Sequence, residues 1–334
     1  MSSINITVLS SVVQWLKKQQ SVFLVTVIHT WGASPRPVGS LFAFNLQEQQ
    51  QVGSLSGGCI EEHLIQFLVE KSQSEPALLK QPLLKQYGAA DGDLVISLPC
   101  GGILEIHIEP LSSLADIEHI DTLLNCLRKQ QPVTRCVQYN DAEHTILRSV
   151  ITPSKSVQQN SVLLYDPEHG SLEHRLAPSY RLLIVGAGDI AYYLQQAAVT
   201  VEFAVTVCEP RKEIVQRLPS IYQSSTEIIN TLPDDLIKSS FNDAFTAIVC
   251  LSHDPRVDDM ALLEALANSN AFYIGAMGSL KTSEARRMRL RSLGLNDTEL
   301  SRLHAPIGLN ISSKTPSEIA ISIMAELISK RFSH

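Results

Sequence analysis

The sequence predicts an α/β protein in which an N-terminal α+β domain precedes a C-terminal, doubly wound parallel sheet. Two observations support this class. Before residue 166, apolar strand-like runs follow one another with only occasional amphipathic helices, whereas after residue 180 apolar strands and helices alternate. Such alternation is typical of a parallel sheet covered by helices on both faces. The length of 334 residues, 44% of them hydrophobic, suffices for two domains.

The elements of the first half follow from apolar spacing. A helix over 9–16, strands over 22–28, 41–44 and 51–55, and a helix over 58–71 are predicted first. Strands over 93–98 and 103–108, a helix over 114–127, and strands over 132–139, 145–151 and 161–165 follow. We therefore expect a domain over 1–166 and, from the polar composition of 167–179, a linker there.

The second half, 180–334, begins the alternating pattern. Strands are predicted over 181–185, 204–208, 244–251 and 272–276. The last helix has a capping-box pattern from Thr315 to Glu318, with Pro316 at its first position and an apolar stripe after it.

Composition narrows the function classes. A formal net charge of -7 without a long Lys/Arg run argues against a nucleic-acid partner. The sequence has neither a secretory signal pattern nor an apolar run of membrane-spanning length, so we expect a cytoplasmic protein with no membrane association. Six cysteines without CxxC or Cys/His spacing make a structural zinc site an unfavourable interpretation.

A nucleotide-binding fingerprint opens the second half. An apolar strand runs into Gly186, Gly188 and Ala191 in the G-x-G-x-x-A spacing, with Asp189 at the start of a helix. The glycines permit a tight turn and close approach of a phosphate, and the helix N-terminus offers N–H donors. Glu209 ends the next strand, where an acid can accept from a ribose hydroxyl. This predicts a Rossmann-type nucleotide-binding domain; the alternative is a tight turn that binds nothing.

Further candidates follow the ends of the predicted strands. Arg211 could contact a phosphate, although an exposed arginine there is often only solvated. His253, Asp254, Gly275 and Met277 are expected near the same crevice, because open α/β sheets bind ligands beyond the carboxyl ends of their strands. For His253 and Asp254 the alternative is a capped loop before a helix.

Two glycine-cysteine segments distinguish the first half. Cys59 follows Gly57 and Gly58 in the first turn of a predicted helix, where the macrodipole favours thiolate. Cys100 precedes another glycine pair, and thiolates bind soft metals and carry sulfur. Arg36 lies in a proline-flanked loop suited to an anionic group. The alternative is that the glycines serve turns, the cysteines pack as small apolar residues and Arg36 is only exposed.

Several segments together resemble the XdhC/CoxI family. They are the segments 30–39, 54–61 and 98–102, the Rossmann unit, and the segments 274–279, 304–309 and 315–320. The resemblance covers nearly the whole chain, and the segments occur in the family's order.

The resemblance implies a maturation factor rather than an enzyme. It implies binding of molybdenum cofactor, as molybdopterin or its cytosine dinucleotide, and insertion into a xanthine-dehydrogenase-type molybdoenzyme. It further implies presentation for sulfuration by a cysteine desulfurase, and a homodimer. By the same resemblance Cys59 helps to hold the cofactor and is the candidate molybdenum contact, with Cys100 second. The Rossmann half would hold the pterin phosphate or attached nucleotide.

Two other functions compete with this interpretation. The fingerprint alone fits an NAD(P)-dependent oxidoreductase, with His253 as an acid or base. An interaction module with a vestigial nucleotide site is the third. The oxidoreductase hypothesis leaves the glycine-cysteine segments unexplained.

Overall fold

The computed structural model describes residues 3–32, 36–76, 80–88, 102–140, 145–152, 162–219 and 228–331. By its internal contacts the chain divides into two compact units, residues 1–178 and 179–334. The predicted strand over 93–98 and Cys100 lie outside the described residues. Among the described helices, none combines the length and apolarity that crossing a membrane would need.

The first unit contains a five-stranded antiparallel sheet in the order β3-β2-β1-β5-β4. Its elements are α1 (Ser3–Lys17), β1 (Val22–Trp31), β2 (Leu41–Asn45), β3 (Gln50–Gly53), α2 (Cys59–Ser74), β4 (Leu83–Tyr87) and β5 (Ile103–Leu111). Helix α2 packs its apolar stripe on one face, as Ile60, Leu64 and Leu68 are fully buried there. Helix α1 covers the opposite face. Strand β4 was not predicted from the sequence.

A four-stranded antiparallel sheet in the order β7-β6-β9-β8 completes this unit. It follows α3 (Leu114–Arg128) and consists of β6 (Val133–Asn140), β7 (Thr145–Ile151), β8 (Leu163–Asp166) and β9 (Ser171–Leu176). Strand β9 lies inside the predicted linker 167–179, so the linker prediction is wrong for 171–176. Leu172, His174 and Leu176 alternate as buried residues, but the charged residues between them hide this period in the sequence.

The second unit is a six-stranded parallel sheet in the order β12-β11-β10-β13-β14-β15, with helices on both faces. Its elements are β10 (Arg181–Val185), α4 (Asp189–Thr200), β11 (Ala204–Cys208), α5 (Lys212–Arg217), β12 (Ile228–Ile229), α6 (Pro233–Ser240), β13 (Thr246–Cys250), α7 (Pro255–Asn268), β14 (Tyr273–Ala276), α8 (Leu280–Ser292), α9 (Asp297–Ser301), β15 (Leu303–His304) and α10 (Pro316–Arg331). The predicted Rossmann-type sheet is confirmed. The capping box of α10 is also confirmed, because the Thr315 N–H donates to the Glu318 carboxylate at 3.0 Å.

Candidate functional site

The glycine-cysteine loop before α2 leaves the five-stranded sheet of the first unit at one of its ends. In the antiparallel registers, Gly53 at the end of β3 pairs with Phe42, and Trp31 at the end of β1 pairs with Ile103. Strand β4 ends at Tyr87, opposite Leu104. The loop 54–58, Gly32 after β1 and Gly102 before β5 therefore leave the sheet at this same end, which we call the motif end.

The loop that leads into α2 wraps around the carboxylate of Glu61. Its backbone N–H groups at Leu55, Ser56 and Gly58 donate to this carboxylate at 2.7, 2.9 and 3.0 Å. The hydroxyls of Ser54 and Ser56 donate at 2.8 Å each. Gly57 and Gly58 have φ angles of 90° and 133°, so glycine is required for the loop to close on the carboxylate.

This arrangement keeps Glu61 ionised. Burial alone would raise its pKa, but the Ser56 and Leu55 N–H groups and the Ser54 hydroxyl lower the pKa to about 2. Cys59 begins α2, as predicted. The carboxylate two residues later already occupies the donors before this helix and partly offsets its dipole, so the dipole argument for a thiolate is weaker than the sequence indicated. Sequence reasoning missed Glu61, although a glutamate at the third helical position is a capping signal.

The loop also leaves open space beside the helix start. Apart from its chain neighbours, a Cβ added at Gly57 or at Gly58 would meet no atom of the described residues within 4 Å. A large ligand could therefore approach this backbone closely, and the residues at this end fit a bulky cofactor. Arg36 is half-buried and lies before β2, whose first residue, Leu41, pairs with β1 toward the motif end.

The fingerprint glycines of the second unit have different roles. Gly186 has a φ of 100°, and a Cβ there would lie 2.4 Å from the Cα of Ser252, so it serves the tight turn. Gly188 caps α4 in an extended conformation, and in the part of the chain that the structure describes no atom beyond its own helix and chain neighbours lies within 4 Å of an added Cβ. Asp189 is exposed in the first turn. The open N-terminus of α4 at Gly188 fits an anionic group.

Glu209 is fully buried and already hydrogen-bonded within the protein. It accepts from the Ala187 N–H at 3.0 Å, and the Arg211 guanidinium binds both of its oxygens, at 2.7 and 2.8 Å. Arg211 also donates to the Ser252 carbonyl at 3.3 Å. The two residues predicted to contact ribose and phosphate thus bind each other and brace the glycine turn.

The loop after β13 caps the next helix, which is the alternative that the sequence left open for His253 and Asp254. Asp254 caps α7 by accepting from the Arg256 N–H at 3.0 Å, and the Arg256 guanidinium holds the pKa of Asp254 at about 2. His253 is exposed with a φ of 59°. Both residues follow β13 at the carboxyl end of the parallel sheet.

A buried arginine, Arg286, supports the loop after β14. Gly275 is packed against Ile307, whose side chain would lie 2.6 Å from an added Cβ, so this glycine serves internal packing. Met277 is half-buried, and its carbonyl accepts from Arg286 at 2.9 Å. Arg286 also contacts Asp258, which accepts from the Ser252 hydroxyl at 2.6 Å. Sequence reasoning missed this network, because its charges come from two separate helices.

In the part of the chain that the structure describes, no three His, Cys, Asp or Glu side chains form a group that could hold a metal ion.

Comparisons with known proteins match both units. The XdhC and CoxI family matches residues 15–79, and the XdhC Rossmann domain matches residues 182–327. The chain belongs to the XdhC and CoxI family. These two matches lie on the parts of the chain that carry the glycine-cysteine loop and the nucleotide fingerprint.

Relatives of this family member align over almost its full length. A probable xanthine dehydrogenase subunit of Bacillus subtilis is 25% identical over 95% of both chains. The molybdenum cofactor insertion chaperone PaoD of Escherichia coli is 25% identical over 97% of this chain and 88% of its own. A crystal structure described as a xanthine dehydrogenase from Bacillus halodurans has a TM-score of 0.70 at 24% identity and covers 96% of both chains, which supports the fold.

Proposed function

We propose that this protein binds molybdenum cofactor and inserts it into a xanthine-dehydrogenase-type molybdoenzyme. The observation that carries the proposal is the open glycine loop at the start of α2, in a chain whose full-length relatives include a molybdenum cofactor insertion chaperone. A relative named for xanthine dehydrogenase points to the class of client.

Each unit, taken by itself, has a candidate contact with the cofactor. In the first unit, Gly57 and Gly58 would let the cofactor approach the backbone, and Cys59 would supply a soft sulfur ligand. In the second unit, the N–H groups at Gly188 would receive the pterin phosphate or the nucleotide phosphate. The bound cofactor would supply the molybdenum centre that the client enzyme uses.

The oxidoreductase alternative is less well supported. In Rossmann enzymes the acid after the second strand accepts from the ribose hydroxyls. In this chain Glu209 is fully buried and paired with Arg211, so it is not available for that contact in this conformation. His253 is exposed, and the neighbouring Asp254 carboxylate is bound by the Arg256 guanidinium at 2.8 Å, so this carboxylate does not orient the imidazole.

Finer features belong to the same proposal. We infer a cytoplasmic homodimer that presents the cofactor to a cysteine desulfurase before delivery, and Cys100 as a second sulfur ligand. Either molybdopterin or its cytosine dinucleotide would satisfy the phosphate site at Gly188.

The test is an anaerobic binding measurement with purified molybdenum cofactor, followed by activation of a cofactor-free xanthine dehydrogenase. Wild type should retain molybdenum on ultrafiltration and raise the client's activity, and Cys59→Ser should lose most of both. NADH serves as the control ligand. Binding of NADH with no retention of the cofactor would overturn the proposal in favour of the oxidoreductase.

A further inference from the structure

A large aromatic side chain is exposed at the motif end. Trp31 is 47% exposed, although it ends a strand whose first seven residues are buried. Its ring stacks on that of His29, with centroids 5.4 Å apart and an angle of 24° between the planes. The exposed indole, with the imidazole stacked on it, is a flat aromatic surface of a kind that proteins use to stack heterocycles.

A β-bulge produces this surface. Val27 pairs with Ile106 and His29 with the adjacent Glu105, so Ile28 is an extra residue in β1. Without this extra residue, the side chains of His29 and Trp31 would lie on the side of the sheet that α2 covers, where Val25 and Val27 are buried. The bulge turns both rings to the opposite face, and bulges of this kind often re-aim side chains beside functional sites.

A carboxylate lies next to the rings. The Oε2 atom of Glu105 is 3.3 Å from Nδ1 of His29, and about a quarter of the Glu105 side chain is exposed (26%). A flat surface beside a carboxylate suits a planar ring that carries N–H donors along one edge, because the ring stacks while its edge donates to the oxygens.

We propose that Trp31, His29 and Glu105 form a subsite for a planar heterocycle with an N–H donor edge. This deepens the proposed function and rests on it: the heterocycle is the 2-amino-4-oxopyrimidine ring of the pterin. The exposed indole of Trp31 stacks on the ring, the stacked His29 imidazole supports the indole, and Glu105 accepts from the 2-amino group and the ring N–H of the pterin. The cytosine of the dinucleotide form offers related chemistry, so the test separates the two.

The experiment titrates the full-length protein with 6-hydroxymethylpterin and, separately, with cytidine monophosphate. Calorimetry gives the affinity, and the long-wavelength absorption band of the pterin, where protein is transparent, reports stacking. We expect hypochromism of that band with wild type. Trp31→Ala should abolish the hypochromism and weaken pterin binding about tenfold or more, and Trp31→Phe should weaken pterin binding less. Glu105→Gln should weaken pterin binding but keep the hypochromism.

Leu147→Ala is the matched control, since Leu147 is an exposed apolar residue on β7 in the same unit, at 57% exposure. It should bind as wild type does. Tryptophan-dependent binding of cytidine monophosphate with no binding of the pterin would overturn the assignment of the ring, and equal pterin affinity of Trp31→Ala and wild type would overturn the subsite. Retention of molybdenum cofactor by wild type is measured in parallel, so that failure of the proposed function is recognised separately.

Discussion

At the scale of single residues, Glu61 decides whether the glycine loop has its shape. Replacing it with glutamine keeps the volume but puts an NH2 group against N–H and O–H donors. We expect Glu61→Gln to lower the free energy of unfolding by about 2–3 kcal/mol, measured by urea unfolding at neutral pH. The ionised form is favoured in the folded state, so this stabilisation is present above a pH of about 4.5 and is lost as pH falls toward the folded pKa of about 2.

Glu62 provides the control for that substitution. It is the next residue in the same first turn and is exposed. Glu62→Gln should change the free energy of unfolding by only a few tenths of a kcal/mol. Equal losses in the two variants would mean that the hydrogen bonds of Glu61 do not hold the loop.

The two fingerprint glycines make a second pair at this scale. Gly186→Ala combines a positive φ with a Cβ 2.5 Å from the backbone nitrogen of Ser252, and we expect a loss of about 3 kcal/mol or more. Gly188→Ala meets no atom among the described residues outside its own helix and chain neighbours, so it should unfold at the same urea concentration as wild type. Its added methyl group blocks close approach of a phosphate, so cofactor affinity should fall about tenfold. If Gly188→Ala kept the cofactor affinity of wild type in the ultrafiltration assay, the phosphate would not bind at this position.

At the scale of elements, the sequence predicted what periodicity determines. Strands β10, β11 and β14 and the capped helix α10 lie where apolar runs and the Thr315 pattern indicated. Strand β9 was missed because its charged residues resemble a linker, although the sheet buries His174 and Leu176. The bulge at Ile28 was not predictable, because pairing with β5 rather than local composition fixes it.

A buried ion pair joins strands β5 and β6, and it supports a prediction at this scale. Glu109 and Arg135 are fully buried with Nη1 and Oε2 3.0 Å apart, and Arg148 binds the other oxygen of Glu109 at 2.6 Å. Glu109→Gln would leave two arginines without this charge, and we expect it to cost about 3–5 kcal/mol in urea unfolding. Glu118→Gln, on the exposed side of α3, should cost under about 0.5 kcal/mol. A small loss for Glu109→Gln would show that other groups neutralise the arginines.

At the scale of the whole molecule, sequence patterns identified the segments of the candidate site but not their contacts. The glycine-cysteine loop and the fingerprint were found from residue types and spacing. The pairing of Glu209 with Arg211 and the support of the Met277 loop by Arg286 could not be found, since they depend on side chains meeting in the folded chain. The candidate ligand-binding segments were thus easier to predict than the charges that hold them.

The two units should differ in their sensitivity to acid, because their described histidines differ in burial. Around Arg135 in the first unit, burial lowers the pKa of His107 and that of His119 to about 4, and burial with the arginine's charge lowers the pKa of His174. Among the described residues of the second unit, His253 is exposed and His304 half-buried. The first unit should therefore be the more sensitive to acid.

Proton linkage gives the direction in which stability changes with pH. Each of these folded pKa values lies below the usual 6.5, so the unfolded chain binds more protons and stability falls as pH drops from about 6.5 to about 4. We expect the free energy of unfolding of the first unit to fall by about 1–2 kcal/mol per histidine between about pH 7 and pH 5.

Calorimetry should then resolve an early transition at about pH 5, and hydrogen exchange should assign it to the first unit. His119→Gln should reduce the pH dependence, whereas His169→Gln, at an exposed position, should not. Acid destabilisation of the second unit first would contradict this account of the histidines.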